Sequence, residues 1–291
     1  MPTRLHVSLL LLGAFEAAPA GAQQPFRVYD PFYRNETARR TFNDDLALSG
    51  EVSYTATRGV TDPATQPDPF EVGLRLDYRL APNLEVGAVV DATGVGNGRA
   101  LRWSWILGRY AWTVGTYDYA FRLALDPDSD GRVGFPQADL AFVASSPIGP
   151  SASSDFAFGV RRVRRGFRQE IPGVSPPARN DTLINGRALG WELHLMVAYT
   201  AYLSPSGSRI FASLSVERGD YELVGVKDPG NVPVAPRRFR SGLVWLRPGV
   251  EFARPSFRFA PFLGLPVVQW APEGENIPRL WPQVGVEVTL R

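Results

Sequence analysis

The residues best suited to bind a metal ion form a short acidic run near the middle of the chain. Asp126, Asp128 and Asp130 alternate with other residues and Gly131 follows, which matches D-x-D-x-D-G, the first half of a calcium-binding loop. Alternate carboxylates in such a loop converge on one hard cation, and the glycine permits a sharp turn. The twelfth position is Gln137, where such loops usually have Glu. The run therefore predicts either a calcium site or a plain acidic turn, and no other cofactor is expected.

A single histidine is the second candidate for chemistry. The sequence contains two histidines, and His194 is the one that lies beyond the first 22 residues. A histidine can activate a serine by accepting its proton, and Ser213 and Ser215 lie on the next predicted strand. The sequence contains no cysteine, which excludes disulfides and thiolate metal sites.

A regular alternation of apolar and polar residues must position these side chains. From Phe70 to Leu80 every second residue is apolar or aromatic, and the residues between them are charged or glycine. Because successive side chains of a β-strand point to opposite faces, this period of two predicts a strand with one apolar and one charged face. The alternation resumes from Leu84 to Ala92 after a turn at 81–83, which predicts an antiparallel hairpin.

The same alternation continues to the end of the chain and predicts about twelve strands, with a parity switch near Gly115 that we interpret as a β-bulge. Connections after odd-numbered predicted strands are long, such as 166–187 and 218–238. Those after even-numbered strands are mostly short, such as 81–83 and 108–109. The net charge of +2 predicts no nucleic-acid partner.

The first 22 residues have the features of a secretory signal peptide. Arg4 precedes an apolar run from Val7 to Phe15, and Ala20-Gly21-Ala22 forms a small-residue cleavage site. The apolar run is too short to span a bilayer as a helix. The chain is therefore expected to be exported.

These features together resemble the outer-membrane β-barrel superfamily of Gram-negative bacteria across residues 46–291, with aromatic residues near strand ends as at a lipid–water boundary. The resemblance implies an all-β fold, a transmembrane antiparallel up-and-down β-barrel at residues 45–291, in the cell outer membrane. Residues 23–44 would be a periplasmic extension or a partial plug, with a disordered lead-in as the alternative. One departure is that the chain ends on Arg291, where such proteins usually carry an aromatic residue read by the barrel-assembly machinery.

In such a barrel the charged strand faces line a lumen. The expected function is a narrow, porin-like channel for small solutes, or a structural or surface-interaction barrel, without enzymatic activity. The lumen is either a polar passage or an interior closed by salt bridges between neighbouring strands. The polar residues expected to line it are Glu71, Arg75, Asp77, Arg79, Glu85, Arg102, Glu192 and His194.

A dense basic run lies at the outer end of the seventh predicted strand. We expect it to form a surface patch that contacts lipopolysaccharide phosphates through arginine forks, with a solvated strand end as the alternative. The other expected partners are outer-membrane lipid and the barrel-assembly machinery. The patch consists of Arg161, Arg162, Arg164, Arg165 and Arg168.

Two alternatives remain open. The first is an outer-membrane lipid hydrolase that uses His194, although such an enzyme places its serine on the lipid-facing side and His194 has the parity of the lumen. The second is a soluble exported β-sandwich that binds a ligand. In that fold the apolar strand faces would pack against each other in a core.

Overall fold

Twelve β-strands and no helix make up the part of the chain that the structure, a computed structural model, describes: residues 46–58, 70–93, 102–126, 137–171, 182–204, 207–228, 232–270 and 279–290. Among these residues no helix is long and apolar enough to cross a bilayer. The predicted signal peptide (1–22) and extension (23–44) lie outside the described residues. The strands are β1 (Leu46–Arg58), β2 (Phe70–Ala81), β3 (Leu84–Thr93), β4 (Arg102–Val114), β5 (Tyr117–Asp126), β6 (Gln137–Pro147), β7 (Ala152–Ile171), β8 (Thr182–Tyr202), β9 (Arg209–Asp228), β10 (Val232–Ala253), β11 (Phe257–Trp270) and β12 (Arg279–Leu290).

Every described strand pairs antiparallel with the strands before and after it, and the first strand pairs with the last. The closing seam runs from Leu48, opposite Leu290, to Arg58, opposite Arg279. The sheet is therefore a closed up-and-down barrel. The twelve-strand barrel expected from the sequence is confirmed.

The two faces of the sheet have opposite polarity, which is clearest along β8. Its outward side chains have large exposed fractions, from 37% at Leu195 to 58% at Trp191, whereas Met196 on the inward face is only 1% exposed. Apolar rows of this kind face outward around the barrel, so the β-sandwich alternative, which needs them packed in a core, is not supported. Along β8 the outward row is Trp191, Leu193, Leu195, Val197 and Tyr199, and the inward row is Glu192, His194, Met196, Ala198 and Thr200.

The prediction of a β-bulge near Gly115 is wrong, because this residue begins the tight turn that joins β4 to β5. Gly115 has a φ of 64°, a conformation that glycine adopts without steric cost. Val114 and Tyr117 pair directly across the turn. The predicted turn at 108–109 instead lies inside β4, and the parity switch in the sequence marks the change of strand.

Four neighbouring strands are much longer than the rest. β7, β8, β9 and β10 have 20, 21, 20 and 22 residues, whereas β5 has 10. Much of the predicted loops 166–187 and 218–238 is therefore strand. The sequence did not reveal this because these segments have no continuous row of apolar residues at one parity. Backbone pairing between neighbouring strands supplies the order that an apolar face would otherwise provide. The short connections 82–83, 115–116, 148–151, 203–208 and 254–256 share one end of the barrel, called the short-turn end below.

Glycines on the inward face leave room for large side chains of the neighbouring strand. Phe262 pairs directly with Gly285, and a Cβ atom at Gly285 would overlap its ring. His194 lies against Gly159 in the same way, and Phe211 against Gly249. The rings can thus lie flat along the wall of the barrel.

Replacing Gly285 with Ala is expected to destabilise the barrel, because the new methyl group forces Phe262 out of its place. Overpacking of this kind costs about 1–3 kcal/mol. The measurement is the free energy of unfolding in detergent micelles, followed by the loss of heat-resistant gel mobility. Gly108→Ala is the matched control, since a Cβ atom there meets nothing within 4 Å; equal stability of the two variants would contradict the prediction.

Candidate functional site

The candidate site is the charged inner wall of the barrel. Of the eight predicted lumen residues, six have described side chains, and alternation places all six on the inward face: Arg75, Asp77, Arg79, Glu85, Glu192 and His194. Glu71 occupies a register position opposite Ser53, and Arg102 one opposite Asp91. The side chains of Glu71 and Arg102 lie outside the described set.

Asp139 on β6 is the centre of a buried ion-pair network that crosses four strands. Its Oδ1 atom accepts a hydrogen bond from Arg122 Nη2 on β5 at 2.6 Å, and its Oδ2 atom accepts one from Arg161 Nε on β7 at 3.2 Å. The Arg161 Nη1 atom also lies 3.3 Å from Glu192 Oε2 on β8. All four side chains are buried. Because a buried charge is stable only when it is paired, each of these residues depends on the others.

His194 belongs to this same network, which we call the Asp139 cluster: Arg122, Asp139, Arg161, Glu192 and His194. Its Nε2 atom lies 3.7 Å from Asp139 Oδ2. Trp105 on β4 extends the cluster, since the Arg161 guanidinium lies over its ring at 5.4 Å from the centroid. Asp139 is the third residue of β6, and the other end of β6 leads into the short connection 148–151, so the cluster lies toward the end of the barrel opposite the short turns.

This geometry does not favour the hydrolase alternative, in which the serine faces lipid. His194 faces the interior, and its direct partners across the strands are Gly159 and Glu217. Ser215 pairs with Met196, and Ser213 pairs with Ala198. Ser215, the nearer serine, is thus a diagonal and not a direct neighbour of His194.

A second charged cluster lies at the short-turn end. Glu251 Oε2 accepts a hydrogen bond from Arg209 Nη2 at 2.8 Å, and Arg258 Nη1 approaches Glu251 Oε1 at 3.4 Å. These residues come from β10, β9 and β11. The interior therefore carries paired charges toward both ends of the barrel.

Arg247 on β10 contacts residues of β11 and β1, on the side of the barrel away from the Asp139 cluster. Its guanidinium lies over the ring of Phe262 on β11, at 3.4 Å from the centroid, and its Nη2 atom is 3.9 Å from Glu51 Oε2 on β1. Glu51 pairs directly with Glu287 across the closing seam. Like charges opposite each other on paired strands destabilise a sheet, so Arg247 supplies the positive charge that this seam needs.

The prediction of a surface patch at Arg161 is wrong, because the parity of β7 separates the residues of that basic run. Arg161 is 3% exposed and points into the Asp139 cluster, whereas its neighbour Arg162 is exposed on the outward face. Arg164, Arg165 and Arg168 continue β7, and their side chains lie outside the described set. Sequence reasoning also missed Arg122, Arg209 and Arg247 as interior residues, although their parity relative to outward apolar neighbours carried the signal.

The calcium site stays a prediction. Asp126 is described, and its buried carboxylate accepts a hydrogen bond from Gln137 Nε2 at 2.9 Å. Asp128 and Asp130 lie outside the described residues. In the described part of the chain no group of three or more acidic, histidine or cysteine side chains is placed to hold a metal ion.

Replacing Asp139 with Ala is expected to destabilise the barrel by about 3–5 kcal/mol, because it leaves Arg122 and Arg161 buried without their shared carboxylate. The urea midpoint of unfolding in lipid vesicles measures the effect. Asp220→Ala is the matched control, since Asp220 forms an exposed ion pair with Arg240 at 3.1 Å, and exposed pairs contribute at most about 1 kcal/mol. A similar midpoint for both variants would show that the cluster is not a stabilising unit.

No protein-family model and no curated protein matches this chain. Among solved structures, the COG4313 outer membrane channel from Pseudomonas putida F1 is similar at 12% identity and a TM-score of 0.45, with 90% of this chain and 99% of that chain covered. OmpT of Vibrio cholerae, an outer membrane protein, is similar at 9% identity and a TM-score of 0.25, with 86% and 98% covered. An anion-selective porin from Comamonas acidovorans is similar at 11% identity and a TM-score of 0.23, with 84% and 98% covered. The assignment of this chain to the barrel architecture rests on its own strand pairing.

Proposed function

We propose that the protein is an integral outer-membrane β-barrel whose interior is a narrow, charge-lined passage for small polar solutes. It would select solutes by width and charge, with no chemical step. The observation that carries the proposal is the polarity of the wall, with apolar rows outside and paired charges inside. A barrel surrounded by water would gain nothing from this arrangement, because its apolar rows would stay in contact with water.

The dimensions of the outward apolar row suit an outer membrane. On β8 the two aromatic residues of this row are Trp191 and Tyr199, with only apolar residues between them on that face. This stretch spans about 27 Å along the strand, and a tilt of about 40° reduces it to about 21 Å of depth. The apolar band of outer-membrane barrels is about 25 Å tall and is bounded by aromatic residues on both sides. Trp191 and Tyr199 lie where such aromatic boundary residues are expected.

A ladder of aromatic rings near the short-turn end supports the same orientation. Trp112 stacks on Tyr119 with ring centroids 5.7 Å apart, and Phe121 lies 5.5 Å from Phe142. These rings belong to β4, β5 and β6, on the outward face. Aromatic residues concentrate at the lipid–water boundary, so the short turns would lie on the periplasmic side.

The passage would be narrowest at the Asp139 cluster. Arg122, Asp139 and Arg161 are at most 3% exposed, so the cluster leaves little free space against the wall. Its carboxylates and guanidiniums offer both signs of charge to a solute. A structural barrel with a permanently filled interior is the second candidate, and the same near-complete burial favours it.

Placing a charge in the middle of the outward row tests the membrane assignment. Leu195→Arg is expected to weaken folding into lipid bilayers by about 2–4 kcal/mol, because the arginine would lie in hydrocarbon. Ile148→Arg is the control, since Ile148 is exposed in a short connection at the end of the barrel. Its cost is expected to be at most about 1 kcal/mol. Equal folding of both variants into bilayers would contradict the proposal.

Single-channel recording in planar bilayers distinguishes a passage from a filled barrel. The double variant Arg161→Ser with Glu192→Ser removes two long side chains of opposite charge from the Asp139 cluster. It is expected to raise the conductance above that of the unmodified protein, because the narrowest level becomes wider. The control is Asp220→Ser with Arg240→Ser, which removes an exposed pair from the outward face and should leave the conductance unchanged. No current from either the unmodified protein or the interior variant would favour the filled structural barrel.

A further inference from the structure

A row of outward residues crosses β7, β8, β9 and β10 at the edge of the apolar band. Arg162 pairs with Trp191, Trp191 pairs with Asp220, and Asp220 pairs with Arg240. Directly paired residues lie on the same face of a sheet, so these four side chains are neighbours on the outer surface. The indole at Trp191 is 58% exposed.

Two further arginines flank this row. Arg218 pairs with Leu193, one step toward the short-turn end, and Arg238 pairs with Glu222, one step away from it. Both are exposed on the outward face. We call the set of Arg162, Trp191, Arg218, Asp220, Arg238 and Arg240 the Trp191 patch.

The Trp191 patch has an excess of positive charge even when Glu222, which pairs directly with Arg238, is counted with it, because four arginines then face two carboxylates. Arg240 donates from Nε to Asp220 Oδ2 at 3.1 Å, and the two side chains are 68% and 56% exposed. Among the side chains that the structure describes, none forms an ion pair with Arg162, Arg218 or Arg238. Such exposed guanidiniums offer forked donors that match the oxygens of phosphate groups.

The position of the patch identifies its partner. Trp191 marks the lipid–water boundary at the end opposite the short turns, where lipid headgroups of the outer leaflet lie if the barrel spans the outer membrane. Rows of side chains on one face repeat about every 7 Å along a strand, and neighbouring strands are about 5 Å apart. Several arginines can therefore contact one phosphorylated headgroup, with Arg218 extending toward it from the level of Leu193. The apolar residues from Leu195 onward would contact the acyl chains.

We propose that the Trp191 patch binds the phosphorylated headgroup of lipopolysaccharide in the outer leaflet. This inference rests on the proposed outer-membrane function. It differs from a patch built on the basic run of β7 alone, because Arg161 faces inward and three of the four arginines come from β9 and β10. The site exists only when β7, β8, β9 and β10 are paired.

The test uses the full chain, purified in detergent, and a fluorescent lipopolysaccharide as the probe. The triple variant Arg162→Gln, Arg218→Gln and Arg238→Gln is expected to weaken binding about tenfold or more, because three phosphate-binding forks are lost. The same glycolipid without its phosphates should bind the unmodified protein as weakly as intact lipopolysaccharide binds the triple variant. Replacing the three residues with Lys should preserve part of the affinity, since the charge remains but the fork is lost.

Arg254→Gln is the control, because Arg254 is an exposed arginine in a connection at the short-turn end. The affinity of this variant for the fluorescent lipopolysaccharide should stay within about twofold of that of the unmodified protein. Heat-resistant gel mobility verifies that each variant is folded, and the three single variants replace the triple variant if it is not. Unchanged affinity of the folded variants, or equal binding of the phosphate-free glycolipid, would overturn the proposed site. Fractionation of cells separates the two proposals: a protein found in the outer membrane with unchanged affinity refutes the site alone, whereas absence from the outer membrane refutes both.

Discussion

The structure depends on one constraint, which is that a sheet whose apolar face looks outward must have no free edge. In hydrocarbon, an unpaired backbone N–H or C=O group costs several kcal/mol, so only a closed set of strand pairings can span a bilayer. The pairing of β1 with β12 provides this closure. Once the sheet is closed, alternation sends every second side chain inward, and the interior has to accommodate whatever charges the sequence places there.

The interior solves that problem through contacts between neighbouring strands. Asp139 pairs with Arg122 and Arg161 from the two adjacent strands, and Glu251 pairs with Arg209 and Arg258 in the same way. Glycines on the inward face let rings such as Phe262 lie along the wall, and Arg247 in turn lies on that ring. The polar groups that would give the passage its selectivity also hold the wall together. The proposed function and the stability of the barrel would therefore depend on the same side chains.

The sequence alone was enough to predict the β-barrel architecture. It was not enough to predict which charged residues pair with each other. Period-two alternation depends only on local chemistry, so the inward parity of His194 and the number of strands could be predicted. The role of Asp139 could not, because it depends on the register that places Arg122 and Arg161 beside it. Arg161 was misassigned because a run of arginines looks uniform in sequence, although each step along a strand reverses the face. The strands β7–β10 were predicted too short, because the residues that extend them do not form an apolar face.

The central claim is that hydrocarbon contacts the outward row of β8, and a nitroxide scan tests it most directly. The sequence contains no cysteine, so single substitutions such as Leu193→Cys, Leu195→Cys and Met196→Cys can be labelled cleanly in lipid vesicles. The account predicts that labels at 193 and 195 collide with oxygen dissolved in the lipid, while the label at 196 is shielded from it. If labels at 193 and 195 instead collide with a water-soluble nickel complex and not with oxygen, the outward face is in water and the account is wrong.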